Sequence, residues 1–89
     1  PGLGPYLGVQ GEPNSKDAKI TRAIPGSPAE KAGIQAGDIV VKFKGNNVGD
    51  FASLQNLVSE CQPGDKVLLE LMRGGERIKL ELEVGEREQ

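Results

Sequence analysis

The sequence predicts a mainly β chain with two helices: an α+β domain built as a partly open antiparallel β-barrel or sandwich, capped by a short and a longer helix. Three observations predict it. Apolar residues alternate with polar ones in several short runs, the period of strands with one buried face. Two segments carry helix start and stop signals. Thirteen glycines and six prolines in 89 residues place turns between those runs. Only Tyr6, Phe43 and Phe51 are aromatic, so aliphatic side chains must fill the core. A chain of this length supports one core, and residues 1–89 are read as a single domain, its core over about 6–84 and its tail, 85–89, polar and frayed.

In chain order, Tyr6-Leu7-Gly8-Val9 reads as a first short strand, closed by Gly11 to Pro13 and the polar loop Asn14 to Asp17. Lys19 to Ile24 reads as a second strand, ended by Pro25-Gly26. Ser27-Pro28-Ala29-Glu30-Lys31-Ala32-Gly33 holds a full short-helix signature: Ser27 caps, Pro28 takes the first helical position, Glu30 closes a capping box and Gly33 ends the helix. Asp38 to Phe43 reads as a central strand with Ile39, Val41 and Phe43 on one face and Val40 and Lys42 on the other, and Gly45-Asn46-Asn47 turns the chain. Asp50 caps a longer helix that stops before Pro63-Gly64. Leu54, Leu57 and Cys61 fall at i, i+3, i+7 and make its core stripe; Phe51, Gln55 and Val58 make a second stripe beside it. The chain closes with a hairpin, Val67, Leu69 and Leu71 facing Ile78, Leu80, Leu82 and Val84 across Gly74-Gly75, whose positive φ values suit a two-residue turn.

Charge and composition exclude several functions. Eleven basic and thirteen acidic residues give a net charge of −2 with no basic run, so nucleic acid is not an expected partner. No apolar stretch approaches the roughly 20 residues that span a bilayer, so direct membrane insertion is not expected. Histidine is absent, which removes the usual base beside a Ser or Cys nucleophile and the commonest zinc ligand. No catalytic residue, metal or cofactor is expected. Cys61, beside Leu57 and Val58, reads as a buried thiol. Glu70, Glu81 and Glu83 alternate with core residues and read as a solvent face. Gly45 to Asp50 lacks the spacing and terminal glutamate of a calcium loop, and Arg73-Gly74-Gly75 reads as a hairpin turn. Beginning at Pro1, the chain reads as an excised domain or a processed product.

An apolar-Gly-apolar loop at a strand entrance, the helix Ser27 to Gly33 with Ile34 leading to Gly37-Asp38-Ile39-Val40, and a longer helix followed by Pro63-Gly64-Asp65 and a hairpin ending in Arg73-Gly74 together resemble a PDZ domain. The resemblance runs from about Tyr6 to Val84, and Tyr6-Leu7-Gly8-Val9 is similar to the Tyr-Leu-Gly-Val of HtrA-like proteases. It implies a PDZ-like fold and a non-catalytic module that recognises the hydrophobic C-terminal segments of proteins by strand addition, serving substrate recognition or regulation in a larger bacterial protease of the periplasm or cell envelope. The alternative it leaves open is an intramolecular regulatory or scaffold module whose groove packs on its parent chain.

The residues themselves allow such a site. Gly8 lets backbone approach a ligand closely, and the amides of Leu7, Gly8 and Val9 can form a nest for a terminal carboxylate. The ligand would run antiparallel beside Val9, Gln10 and Gly11. Phe51, Gln55 and Val58 would form the opposite wall. Expected peptide-binding residues are thus Tyr6, Leu7, Gly8, Val9, Gln10, Gly11, Phe51, Gln55 and Val58. Phe51 stands where the family's helix carries histidine in domains that select Ser or Thr two residues before the ligand's end, so apolar or aromatic residues are expected there instead. No Lys or Arg lies in Pro1 to Tyr6 to assist the carboxylate.

Overall fold

The computed structural model describes residues 4–12 and 16–86. Among them, eight strands and two helices follow in order: β1 (Pro5–Tyr6), β2 (Val9–Gly11), β3 (Ala18–Ala23), α1 (Pro28–Ala32), β4 (Ile39–Phe43), β5 (Asn46–Asn47), α2 (Phe51–Ser59), β6 (Lys66–Arg73), β7 (Glu76–Glu83) and β8 (Gly85–Glu86). The main sheet has the order β2-β3-β4-β6-β7, with β5 attached to β4, and every pairing is antiparallel. A second, two-stranded sheet joins β1 to β8. The sheets stay open and do not close into a barrel, with both helices packed on them. Positions 13–15, where the expected polar loop begins, and 87–89, the end of the expected tail, lie outside the described residues.

Local chemistry sets the helices. At α1 the Ser27 side chain accepts from the Glu30 amide at 3.3 Å, and Gly33, at φ 102°, ends the helix in the left-handed region that glycine adopts freely. The expected capping box closes one residue early. Glu30 Oε1 accepts from the Gly26 amide at 2.8 Å, because the Ser27 amide is already engaged by the Ile24 carbonyl at 3.1 Å. At α2 the Asp50 carboxylate accepts from the Ser53 amide at 2.8 Å, and this bond holds its pKa below the usual aspartate value. The β6–β7 hairpin turns through Gly74 and Gly75 at φ 57° and 84°, the geometry expected of them.

Four expectations are corrected by the structure. The first strand is not continuous: Gly8, at φ 84°, breaks Tyr6–Val9 into β1 and β2, which pair with different partners. In β4 the register with β6 shifts between Val40 and Lys42, so Val40 and Phe43 face the core while Ile39 and Val41 are only half-buried; the irregularity undoes strict alternation. The tail does not begin at Gly85, since Gly85 and Glu86 pair with Tyr6 and Pro5 as β8. The turn after β4 also sits earlier than expected. Lys44 and Gly45, at φ 55° and 82°, make it, and Asn46–Asn47 returns as β5.

The core is aliphatic apart from Phe43 and Phe51: Ile20, Val40, Leu54, Leu69, Leu71, Leu82 and Val84 are nearly inaccessible around them. Cys61 is buried in it, as expected, and burial pushes its thiol pKa up, so it is a poor nucleophile. Among the described residues one charge is buried as well. Asp38, 1% exposed, is gripped by Arg73 from both guanidinium Nε and Nη2 at 2.8 Å, and the Gln35 amide donates to it at 2.8 Å. Burial alone would raise the Asp38 pKa; the Arg73 and Gln35 hydrogen bonds outweigh it and the net shift is downward. The same Arg73 nitrogen donates to the Gly33 carbonyl at 2.8 Å, which ties the end of α1 to the hairpin.

Candidate functional site

Between the Tyr6–Val9 segment and α2 runs a groove of about 260 Å³. Tyr6, Leu7, Gly8 and Val9 line one side, and Phe51, Gln55 and Val58 line the other. Seven of the nine residues singled out in the sequence therefore meet across one cleft. Pro5, Leu54 and Ser59 complete the lining. Gln10 and Gly11 do not line it. Gln10 is exposed, and Gly11 is covered by the Phe51 ring, since a Cβ on Gly11 would come within 2.5 Å of Phe51 Cδ1.

Phe51 is thus both wall and core. It is only 5% exposed, so its ring is held by packing at the head of α2 and not left free over the groove. The second stripe of α2 grades outward from it, with Val58 half-buried and Gln55 exposed. No lining side chain is charged. An anion in this groove would meet only neutral donors: backbone amides and the side chains of Tyr6, Gln55 and Ser59.

Two amides are turned that way by what holds their neighbours. The Ala29 amide donates to the Leu7 carbonyl at 2.9 Å, and the Ile24 amide donates to the Gly8 carbonyl at 2.8 Å. Peptide bonds here are trans, so each carbonyl held behind the loop sends the next N–H forward. Those N–H groups belong to Gly8 and Val9, which line the groove. Gly8 cannot carry a side chain in this position: its φ is 84°, and a Cβ would overlap the Ser27 Cβ and lie 2.6 Å from Ser27 Oγ.

The loop leads straight into an unpaired edge. In the main sheet β2 is terminal, with β3 on one side. Because the Ile24 amide bonds to the Gly8 carbonyl, the Val9–Ala23 pair is of the type whose own N–H and C=O groups point outward from the ladder. Val9 therefore offers a donor and an acceptor to an added strand.

Among the described residues no cluster of His, Cys, Asp or Glu could hold a metal ion, and no helix is long and apolar enough to cross a membrane. Sequence reasoning missed Ser27 and Ala29, which sit directly behind the loop. Their only sequence signal was helix capping.

Comparison with known proteins agrees with this geometry. The PDZ domain family model matches residues 5–84. A probable periplasmic DegP-like serine endoprotease of Hahella chejuensis is 35% identical over 71 residues, which is 80% of this chain and 15% of that protein. The chain thus spans about one-seventh of the length of that relative. Among solved structures, the serine endoprotease of Yersinia pestis matches with TM-score 0.84 and 27% identity, over 94% of this chain and 29% of that one. The HtrA3 PDZ domain bound to a phage-derived ligand, FGRWV, matches with TM-score 0.76 and 27% identity, over 93% and 86% of the two chains.

Proposed function

Because this chain belongs to the PDZ domain family, of the kind carried by HtrA- and DegP-type proteases, we propose that it recognises the hydrophobic C-terminus of a protein by strand addition to β2. The module itself is non-catalytic. One observation carries the reading: the Gly8 and Val9 amides face an uncharged groove, with Leu7, Val9, Phe51 and Val58 in its walls, at the open end of a strand edge. Such amides bind a carboxylate with charge-assisted hydrogen bonds, and the adjoining edge extends the ligand as a strand. Peptide-binding roles fall to Tyr6, Leu7, Gly8, Val9, Phe51, Gln55 and Val58 through the groove, and to Gln10 and Gly11 through the strand they continue.

Leu7, Val9 and Val58 are aliphatic, so an apolar terminal side chain gains burial of roughly 1.5–3 kcal/mol there, whereas a charged one loses its hydration without a partner. Two residues upstream the ligand meets Phe51 and Gln55, and an apolar or aromatic side chain is preferred over Ser or Thr. The parent would be a periplasmic serine protease in which this module selects substrates or regulatory partners.

The peptide FGRWV, the ligand of the HtrA3 domain, is the first probe. Titrated as free acid into isotopically labelled domain, it should shift the Leu7 to Gln10 amides saturably. Its C-terminal amide should bind about tenfold more weakly, the worth of one charge-assisted bond. Equal dissociation constants would refute carboxylate recognition, and no saturable shift with a library of apolar C-termini would leave packing against the parent chain as the groove's role.

A further inference from the structure

The carboxylate loop does not hold its own shape. Its left-handed glycine is free to turn in either direction, and nothing within Leu7-Gly8-Val9 fixes which way the amides face. The restraint comes from behind, where the Ile24 amide holds the Gly8 carbonyl at 2.8 Å and the first turn of α1 presses on the loop. Ala29, at the second helical position, has an amide with no partner inside the helix, and it donates to the Leu7 carbonyl at 2.9 Å. Ser27 does two things at once. Its Oγ, 3.4 Å from the Gly8 carbonyl, donates to it while accepting from the Glu30 amide, and its Cβ fills the space beside the Gly8 Cα. At 4% exposure Ser27 is sealed from solvent, so water cannot take over either contact.

The geometry points to Ser27 as a positioning residue for ligand binding: it braces Gly8 from behind, so that the Gly8 and Val9 amides face the groove before any ligand arrives. This rests on the carboxylate reading above and adds the part of the molecule that makes the amides ready. Pre-organisation of this kind acts on the ligand's charge and not on its apolar side chain.

Two substitutions separate bracing from helix capping, because they rank oppositely. Alanine is the worse cap and glycine the better one. Alanine keeps the Cβ against Gly8 and loses only the hydroxyl, whereas glycine loses both. The measurement is the ratio of dissociation constants, amide over free acid, for FGRWV on wild type, Ser27→Ala and Ser27→Gly, alongside each protein's Tm. Bracing gives a ratio that falls from about ten in wild type by two- to threefold in Ser27→Ala and further in Ser27→Gly, where only the Ile24 and Ala29 bonds still hold the loop, although glycine is the better cap. Binding of the amidated peptide should change little. A wild-type ratio well above one that Ser27→Gly preserves overturns the brace and leaves the carboxylate reading standing, as does a ratio that follows Tm. A wild-type ratio of one overturns both.

Discussion

The main sheet has two ends, and they are treated in opposite ways. At one end β7 presents Glu76, Arg77, Lys79, Glu81 and Glu83, a charge at nearly every outward position. At the other end β2 presents Val9, Gln10 and Gly11, with no charge at all. An unpaired strand edge is a template for further pairing, and charged side chains are the usual guard against it. Here the guard stands at β7 and is missing at β2, where the edge is only three residues long and opens beside the Gly8 loop. Short length limits unwanted pairing at β2, while the absence of charge leaves it able to accept one specific strand.

Gly8→Val should produce the largest difference between the ends. The new side chain meets Ser27 in a backbone conformation, φ 84°, that branched residues avoid. Saturable binding of FGRWV should vanish by calorimetry, whereas Lys79→Thr on the far edge should leave the dissociation constant within about twofold, the ordinary size of a surface effect. Similar losses in both variants would mean that the two edges do not differ in function.

How the open edge is built could be read only in part from the chain. The helix caps at Ser27 and Asp50 and the Gly74-Gly75 turn were legible because each is a signal within four residues, set by local hydrogen bonding and φ. The convergence of Tyr6 to Val9 with Phe51, Gln55 and Val58 was legible through the family resemblance and the two stripes of α2. What stayed hidden depends on partners far along the chain. Pairing of Gly85 with Tyr6 comes from a two-residue strand with no periodicity to betray it. The Arg73 grip on Asp38 spans 35 residues between two side chains that look like ordinary surface charges. The shift in β4 moved Val41 off the core face because the register of β6, not β4's own alternation, decides it.

Phe51→Ala should be the next largest change, and it tests whether the open end is as firmly founded as the guarded one. The ring is 5% exposed and covers Gly11. Removing it should cost about 3 kcal/mol in denaturant unfolding, the low end for a buried phenylalanine, and also remove the preference for apolar residues two positions before the ligand's end. A cost below about 1 kcal/mol would place the ring at the surface. Stripping the guard is the converse experiment. Replacing Lys79, Glu81 and Glu83 together by Thr should make sedimentation concentration-dependent at roughly 100 µM, the scale of a weak edge contact near −5.5 kcal/mol. A strictly monomeric triple variant would show that strand charge is not what keeps β7 unpaired.

The smallest expected effect separates two ion pairs that flank the sheet. Arg77 bonds Glu70 at 2.8 Å across β6 and β7 near the guarded edge, with the Arg77 side chain 53% exposed. Arg73 bonds Asp38 at the same distance, but that carboxylate is buried and helps hold α1, which backs the open edge. Both carboxylates have lowered pKa values, Glu70 chiefly through its hydrogen bond from Arg77 and Asp38 through the Arg73 and Gln35 bonds that overcome its burial. A depressed carboxylate pKa contributes stability that is fully present above the unfolded value, about 3.9 for aspartate, and is lost as pH falls through the lower folded value. Arg73→Ala should therefore lower Tm by roughly 5–10 °C at pH 7, because it leaves a buried acceptor without its main partner, although Arg73 itself is 34% exposed. Its deficit should shrink as pH falls toward and below about 3.9, because the variant's unpaired buried carboxylate is protonated first and wild type then loses the same interaction. Arg77→Ala should lower Tm by less than about 2 °C, as exposed pairs are screened and flexible. Thermal melts of the three proteins from pH 7 to pH 3 decide it: an Arg73→Ala deficit that stays constant through acid would mean that Asp38 is held by packing and not by its charge.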